Sequence, residues 1–170
     1  MNMKAIIFFC LLTVALNGVI SSANAQNSRK ERKAAREAQL KKSIEEKQFV
    51  FVARSVTPMG GRTVNLNFTD ELKIYGDSII CDLPYFGQAY NFSTAHSGGL
   101  NFTSTSSTYT LTEAKKGGWE IRISPKDYID IREITLFISP DGYTSVTINS
   151  SARNSISYYG LVSERKIRKG

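Results

Sequence analysis

The chain has 170 residues, with 22 Lys and Arg against 15 Asp and Glu, one His and two Cys, a size that allows one ordinary domain with short extensions. One histidine leaves no His-x-His or His-Glu-x-x-His spacing, and no Cys-x-x-Cys occurs, so neither a metal site nor a bound cofactor is expected. The net charge of +7 sits in two tails: residues 29–47 are net +4 and residues 164–170 net +3, while residues 48–163 are net −1.

The first 25 residues read as an export signal. Lys4 supplies the positive start, Ala5 to Leu16 the apolar run, and Ala23-Asn24-Ala25 the small-residue cleavage pattern, with cleavage after Ala25. The apolar run is shorter than the ~20 residues a bilayer span needs, so no transmembrane span is expected once the signal is removed. Cys10 follows Phe8-Phe9 rather than small residues and is a poor lipid-attachment cysteine. Its loss with the signal leaves Cys81 alone, and no internal disulfide can form.

Residues 26–47 read as a basic helical leader. Ser28-Arg29-Lys30-Glu31 fits the capping-box pattern, and Glu31 to Lys47 contains neither Gly nor Pro. Leu40 and Ile44, with Ala34 and Ala38, make only a thin apolar stripe. The spacing predicts a largely solvated helix, with contact to an acidic envelope surface as the functional alternative. The basic run lacks interleaved aromatics and follows an export signal, which argues against nucleic acid as a partner.

From Gln48 the period becomes that of strands. Phe49 to Ala53 is apolar on both faces. Thr63 to Phe68 alternates, placing Val64, Leu66 and Phe68 inward. Leu72 to Tyr75, Gly76-Asp77 and Ser78 to Leu83 form a hairpin pattern. Further strands are expected at Leu100–Ser104, Thr108–Glu113, Trp119–Ser124, Ile134–Ser139, Thr144–Ser150 and Ser155–Val162. Pro125 to Glu133 fits either a helical turn or a strand entry. No long helical pattern separates the strands, so parallel crossovers are excluded. The expected fold is all-β: an antiparallel meander of nine or ten short strands over residues 48–163. It closes as a barrel, lipocalin-like closure included, or folds as a two-sheet sandwich.

Catalytic groups are sparse. His96 sits in the polar run Thr94-Ala95-His96-Ser97, and a hydrolase built on it needs a serine and a carboxylate brought there by the fold. Glu113 and Glu120 flank the Gly117-Gly118 turn, either as an acid pair or as partners of Lys115 or Arg122. None of the Gly-Gly pairs opens a helix, so a phosphate cradle is not indicated, although Gly60-Gly61-Arg62 offers an anion clamp. Cys81 lies in an apolar strand with no cation beside it and reads as a small buried hydrophobe.

Aromatics concentrate around Leu83-Pro84-Tyr85-Phe86-Gly87-Gln88-Ala89-Tyr90. Tyr85, Phe86 and Tyr90, with Phe102, Trp119 and the cation Arg62, form the candidate ligand-binding set, set against ordinary core filling.

Together with Pro58-Met59-Gly60-Gly61-Arg62-Thr63, Gly98-Gly99-Leu100-Asn101-Phe102 and Lys116-Gly117-Gly118-Trp119-Glu120, that segment resembles the small exported Bacteroidetes proteins grouped as domain of unknown function 4251. The resemblance runs from the charged helix to about Gly160. It implies an exported protein in the periplasm or at the surface of a Gram-negative bacterium, and supplies no activity or catalytic residue. The expected function is a non-enzymatic binding module for a small apolar or aromatic ligand or a peptide. A structural or assembly factor of the envelope, acting through protein contacts, is the alternative, and a hydrolase using His96 the least favoured.

Overall fold

The structure, a computed structural model, describes residues 28–87, 99–115 and 117–164. The export signal with its cleavage position after Ala25, the residues Tyr90 and His96, and the basic tail from residue 165 onward lie outside them. The chain divides into two compact units, Met1–Ala38 and Gln39–Gly170.

Residues 28–45 form helix α1. In the first unit its residues 29–36 are all exposed, as so narrow an apolar stripe dictates. In the second unit the picture reverses: Leu40 and Ile44, one i,i+4 step apart, belong to the hydrophobic core. The helix stops at Lys47, which adopts a left-handed φ of 53°. The Lys47 ammonium bonds Asp77 at 2.8 Å and lies 5.3 Å from the centre of the Tyr109 ring. The Tyr109 hydroxyl donates to the Ile44 carbonyl at 3.0 Å, which also accepts the Lys47 N–H at 3.1 Å, so this acceptor at the helix end is held twice.

Ten strands follow: β1 (Gln48–Pro58), β2 (Val64–Asn65), β3 (Glu71–Tyr75), β4 (Ser78–Pro84), β5 (Gly99–Ser104), β6 (Ser107–Glu113), β7 (Trp119–Pro125), β8 (Ile131–Ile138), β9 (Tyr143–Ser150) and β10 (Ile156–Glu164). Nine form one path in the order β5-β4-β3-β1-β10-β9-β8-β7-β6, and β2 adds to β1. Every pairing is antiparallel, and the sheet curls into a nearly closed barrel, as the alternation of side chains implies. In β7, for example, Trp119, Ile121 and Ile123 point into the core and Arg122 points out. Side chains fill the interior: Phe49, Phe51, Leu72, Ile121, Leu136 and Tyr158 are all fully buried.

An odd number of strands has a consequence for closure. Along nine antiparallel strands the first and last run the same way, so β5 and β6 are parallel in direction. Only Thr105 and Ser106 join them, too short a link for a parallel crossover. Strand β6 therefore continues β5 past a break, leaving a seam where no ladder closes. The link from β7 to β8 crosses it. The Asp127 carboxylate accepts hydrogen bonds from the Ser104 hydroxyl, from the Thr105 N–H at 2.8 Å and from the Thr105 hydroxyl at 3.0 Å. Next to it Tyr128 stacks on Phe102, with ring centroids 4.6 Å apart. Residues 126–130 are thus a seam-crossing link, and β8 begins at Ile131 with a register shift before Glu133.

One expected strand is corrected. Between Thr63 and Phe68 only Val64–Asn65 pairs, Val64 and Phe68 are exposed, and Leu66 alone packs against the core. The cause is the β1 bulge between Ala53 and Ser55. There the Ala53 N–H bonds Asp70 and the Leu66 N–H bonds Arg54, an irregular pattern that a two-residue side-chain alternation cannot follow. Phe68 takes a left-handed φ of 54°, with the Arg54 guanidinium 5.4 Å from its ring centre.

Candidate functional site at one end of the barrel

Tyr85 leaves β4 at the barrel end where the link between β9 and β10 crosses. Its hydroxyl donates to the Asn154 carbonyl at 3.1 Å, and the Tyr158 hydroxyl donates to the Pro84 carbonyl at 2.9 Å. Arg153, buried, donates through Nη1 to the Gly99 carbonyl at 3.1 Å and lies 5.1 Å from the Tyr85 ring centre. A Cβ on Gly87 would sit 2.3 Å from the Tyr85 hydroxyl, so the chain folds back tightly over that ring. On its other side the crossing link is tied to the β7–β8 link by the Ser151 hydroxyl, which donates to the carbonyls of Ile129 and Asp130 at 3.2 and 3.3 Å.

Pinning Tyr85 inward turns its neighbour outward, and Phe86 is 50% exposed. Ile129 is 91% and Met59 71% exposed. The pairings Pro58↔Ile156, Pro84↔Gly99 and Ile131↔Ser150 place the links after β1, β4, β7 and β9 at this same end. Three large apolar side chains therefore project from three links at one end, and the 151–155 crossing braces two of those links directly. Arg62 is exposed in the link after β1.

The remaining predicted site residues lie elsewhere. Phe102 faces the core in its stack with Tyr128. Trp119 is buried at the start of β7, paired with Glu113 and Ile138 at the opposite end. The structure thus brings Tyr85, Phe86 and the Arg62 link to one end and separates Trp119 from them. Met59, Ile129, Arg153 and Asn154 were not legible as site residues: a lone apolar residue in a link has no period to show which way it points.

The carboxylates and the thiol are accounted for locally. Glu113 bonds Lys41 at 3.1 Å and Glu120 bonds Arg122 at 2.7 Å, so each acid has a cation rather than the other acid. Burial pushes the Cys81 thiol far above its ordinary range, which fits a packed hydrophobe rather than a nucleophile. Burial likewise raises the Tyr109 and Tyr158 phenols. Burial, then the neighbouring Asp82 charge, raises the Asp70 carboxyl. Among the described residues no cluster of three or more His, Cys, Asp and Glu side chains is placed to hold a metal ion. An open depression of about 530 Å³ lies outside β4 and β5, lined by Ile80, Asp82, Asn101 and Thr103 together with Cys81 and Phe102. At the barrel end the described groups supply apolar contact and hydrogen bonding from phenol, guanidinium and backbone amide.

Fold and site together define a small antiparallel β-barrel domain whose interior is filled by side chains. The chain belongs to the family described as Domain of unknown function (DUF4251), whose profile matches residues 31–162. Its fold is similar to that of a DUF4251 family protein from Bacteroides eggerthii, with a TM-score of 0.57 at 20% identity, covering 78% of this chain and 91% of that one. No curated protein matches the chain. Among the described residues no helix is long and apolar enough to cross a membrane.

Proposed function

We propose that the protein is an exported, non-enzymatic binding module of the envelope of a Gram-negative bacterium. It engages a small apolar or aromatic ligand, or a peptide, through the barrel end that displays Phe86, Ile129 and Met59. The observation that carries this reading is the exposure of those three side chains beside the latched Tyr85–Asn154 contact. An apolar surface held in place by hydrogen bonds loses little entropy on binding. Covering the exposed parts of the three side chains gains about 3–6 kcal/mol gross, against which the lost freedom of the ligand is set, so these contacts alone give weak binding.

Titration with 8-anilinonaphthalene-1-sulfonate, a small aromatic probe, tests the site. Saturable fluorescence enhancement is expected for the native chain and its loss in a Phe86→Ser/Ile129→Ser variant. An unchanged titration in that variant overturns the reading. Export is tested separately by mass spectrometry of the periplasmic fraction of a Gram-negative host: the mature chain begins at Gln26, and a retained leader refutes it.

A further inference from the structure

On the outside of the barrel, away from the end just described, Phe137 of β8, Ser145 of β9, Tyr159 of β10 and Ser55 of β1 stand in register across four neighbouring strands. With strands about 4.8 Å apart, Phe137 and Tyr159 are separated by about 10 Å, with Ser145 between them. Tyr143, two residues before Ser145, is the diagonal neighbour of Tyr159; the two rings are 8° from parallel with centroids 6.2 Å apart. The three aromatics are 48–50% exposed. Single exposed apolar residues are ordinary on a protein surface. Three large rings on three adjacent strands of one sheet face form a patch.

The chemistry around the rings selects the occupant. None of the eight outward residues of β9 and β10 is charged, in a chain of which 22% is. Five of the eight are Ser, Thr or Asn, and the Thr147 and Ser157 hydroxyls hydrogen-bond each other across the strands at 3.1 Å, which leaves further hydrogen-bonding capacity on each. Charge returns along the β7–β8 edge, with Glu120 in register beside Phe137 and held to Arg122 on β7, and with Arg132 and Glu133 on β8; on the other side Arg54 lies in the β1 bulge over the Phe68 ring. The outer faces of β3 and β4, by contrast, carry Glu71, Lys73 and Asp82.

A lipid surface is met by lysines and arginines alongside the aromatics. A protein interface is enriched in Arg and Met around its aromatic core and depleted in Ser. A face of aromatic planes and hydroxyls, uncharged across β9 and β10 and with charge only along its β7–β8 edge, complements a ligand that has apolar C–H faces, many hydroxyls and no charge. We propose that the outer face of β8, β9 and β10 is a platform for a neutral polysaccharide. Pyranose rings lie on Tyr143, Tyr159 and Phe137, and the hydroxyls of Ser145, Thr147 and Ser157 meet those of the sugar.

Affinity electrophoresis of the mature chain tests this, through gels containing hydroxyethylcellulose, xyloglucan or soluble starch, with heparin as the charged control. Retardation is expected in at least one neutral polymer. It falls about tenfold or more in Tyr143→Ala/Tyr159→Ala and in Phe137→Ser, and survives in Tyr143→Phe/Tyr159→Phe. It is unchanged in Phe86→Ser/Ile129→Ser, so failure here is distinct from failure of the barrel-end site. The proposal is overturned by migration unaffected in every neutral polymer, by retardation in heparin alone, or by retardation that persists in both Tyr143→Ala/Tyr159→Ala and Phe137→Ser. It is equally overturned if sedimentation shows a dimer that these substitutions dissolve, since the face then belongs to a second copy.

Discussion

Gly160 of β10 pairs with Ala53 of β1, and replacing it with Ala tests the pairing of the two strands. A Cβ there would lie 2.0 Å from the Val52 carbonyl oxygen and 2.9 Å from a ring carbon of Phe51. The first contact is with backbone in the middle of a hydrogen-bonded strand, which cannot rotate away as a side chain can. Overpacking of this kind costs about 3 kcal/mol, and for a domain of this size that lowers Tm by roughly 10 °C. Two other glycines separate the causes. Gly60 has a φ of 74° and open space around it, so its Ala variant incurs only the backbone penalty of about 1 kcal/mol. Gly118 combines a φ of 89° with the Ile138 carbonyl oxygen 2.2 Å from a Cβ, so both penalties apply. Thermal unfolding followed by circular dichroism should rank the losses Gly118→Ala largest, Gly160→Ala next and Gly60→Ala smallest. A Gly160→Ala protein that melts within about 2 °C of the native chain would mean that β10 does not pass β1 at this spacing, and the barrel order would fall with it.

Three more outcomes follow from the same structure. Hydrogen bonds from Ser104 and Thr105 hold the Asp127 carboxyl down to about 2; because the folded value lies below the ordinary carboxylate value of about 3.9, its contribution is complete above about pH 5 and lost as pH falls toward 2. The Tm gap between the native chain and Asp127→Asn should therefore be constant from pH 7 to about 5 and close across that acid window; a gap that persists at pH 2 contradicts the clasp. Ile44, fully buried, should cost about 2–5 kcal/mol in urea denaturation when replaced by Ala, whereas removing residues 28–38 should leave the midpoint of the β domain unchanged, and equal effects from the two would refute the division at Ala38. Cys81, 2% exposed, should resist Ellman's reagent in the native state and react at the rate of unfolding; immediate labelling would show that the thiol is reachable.

The strands were legible because most of them face water on one side and core on the other, which stamps a two-residue period on the sequence. Leu72 to Leu83 shows it plainly, with inward Leu72, Ile74, Ile79, Cys81 and Leu83 on either side of Gly76-Asp77. The period failed where the backbone departs from a ladder. Val64 and Phe68 keep the right spacing but sit beside the β1 bulge, and the bulge decides their direction. The end of α1 was misjudged in energetic weight: Leu40 and Ile44 are a thin stripe on a helix drawn alone, yet both enter the core. Of the aromatic set, Tyr85 and Phe86 could be located by their Pro and Gly neighbours. That Trp119 belongs to the far end follows only from strand order, which no local pattern encodes. The outer rings Phe137, Tyr143 and Tyr159 are scattered over 23 positions of sequence and become neighbours only through pairing register.

Among the described residues the barrel is filled to its centre by side chains such as Phe49, Phe51, Leu136 and Tyr158, which is why the binding proposed above is placed on the links and the outer face. The odd strand count then decides which link must close the sheet. Because β6 continues β5 instead of pairing beside it, the seam must be closed by something outside the ladder, and residues 126–130 do so through Asp127 and Tyr128. The next residue along is Ile129, the most exposed large apolar side chain described. One short segment therefore both shuts the barrel and holds an apolar tip in place. The hydrogen bonds that fix it spare Ile129 the flexibility that would otherwise oppose binding. Closure of the sheet and presentation of the proposed site are, at that link, one structural solution.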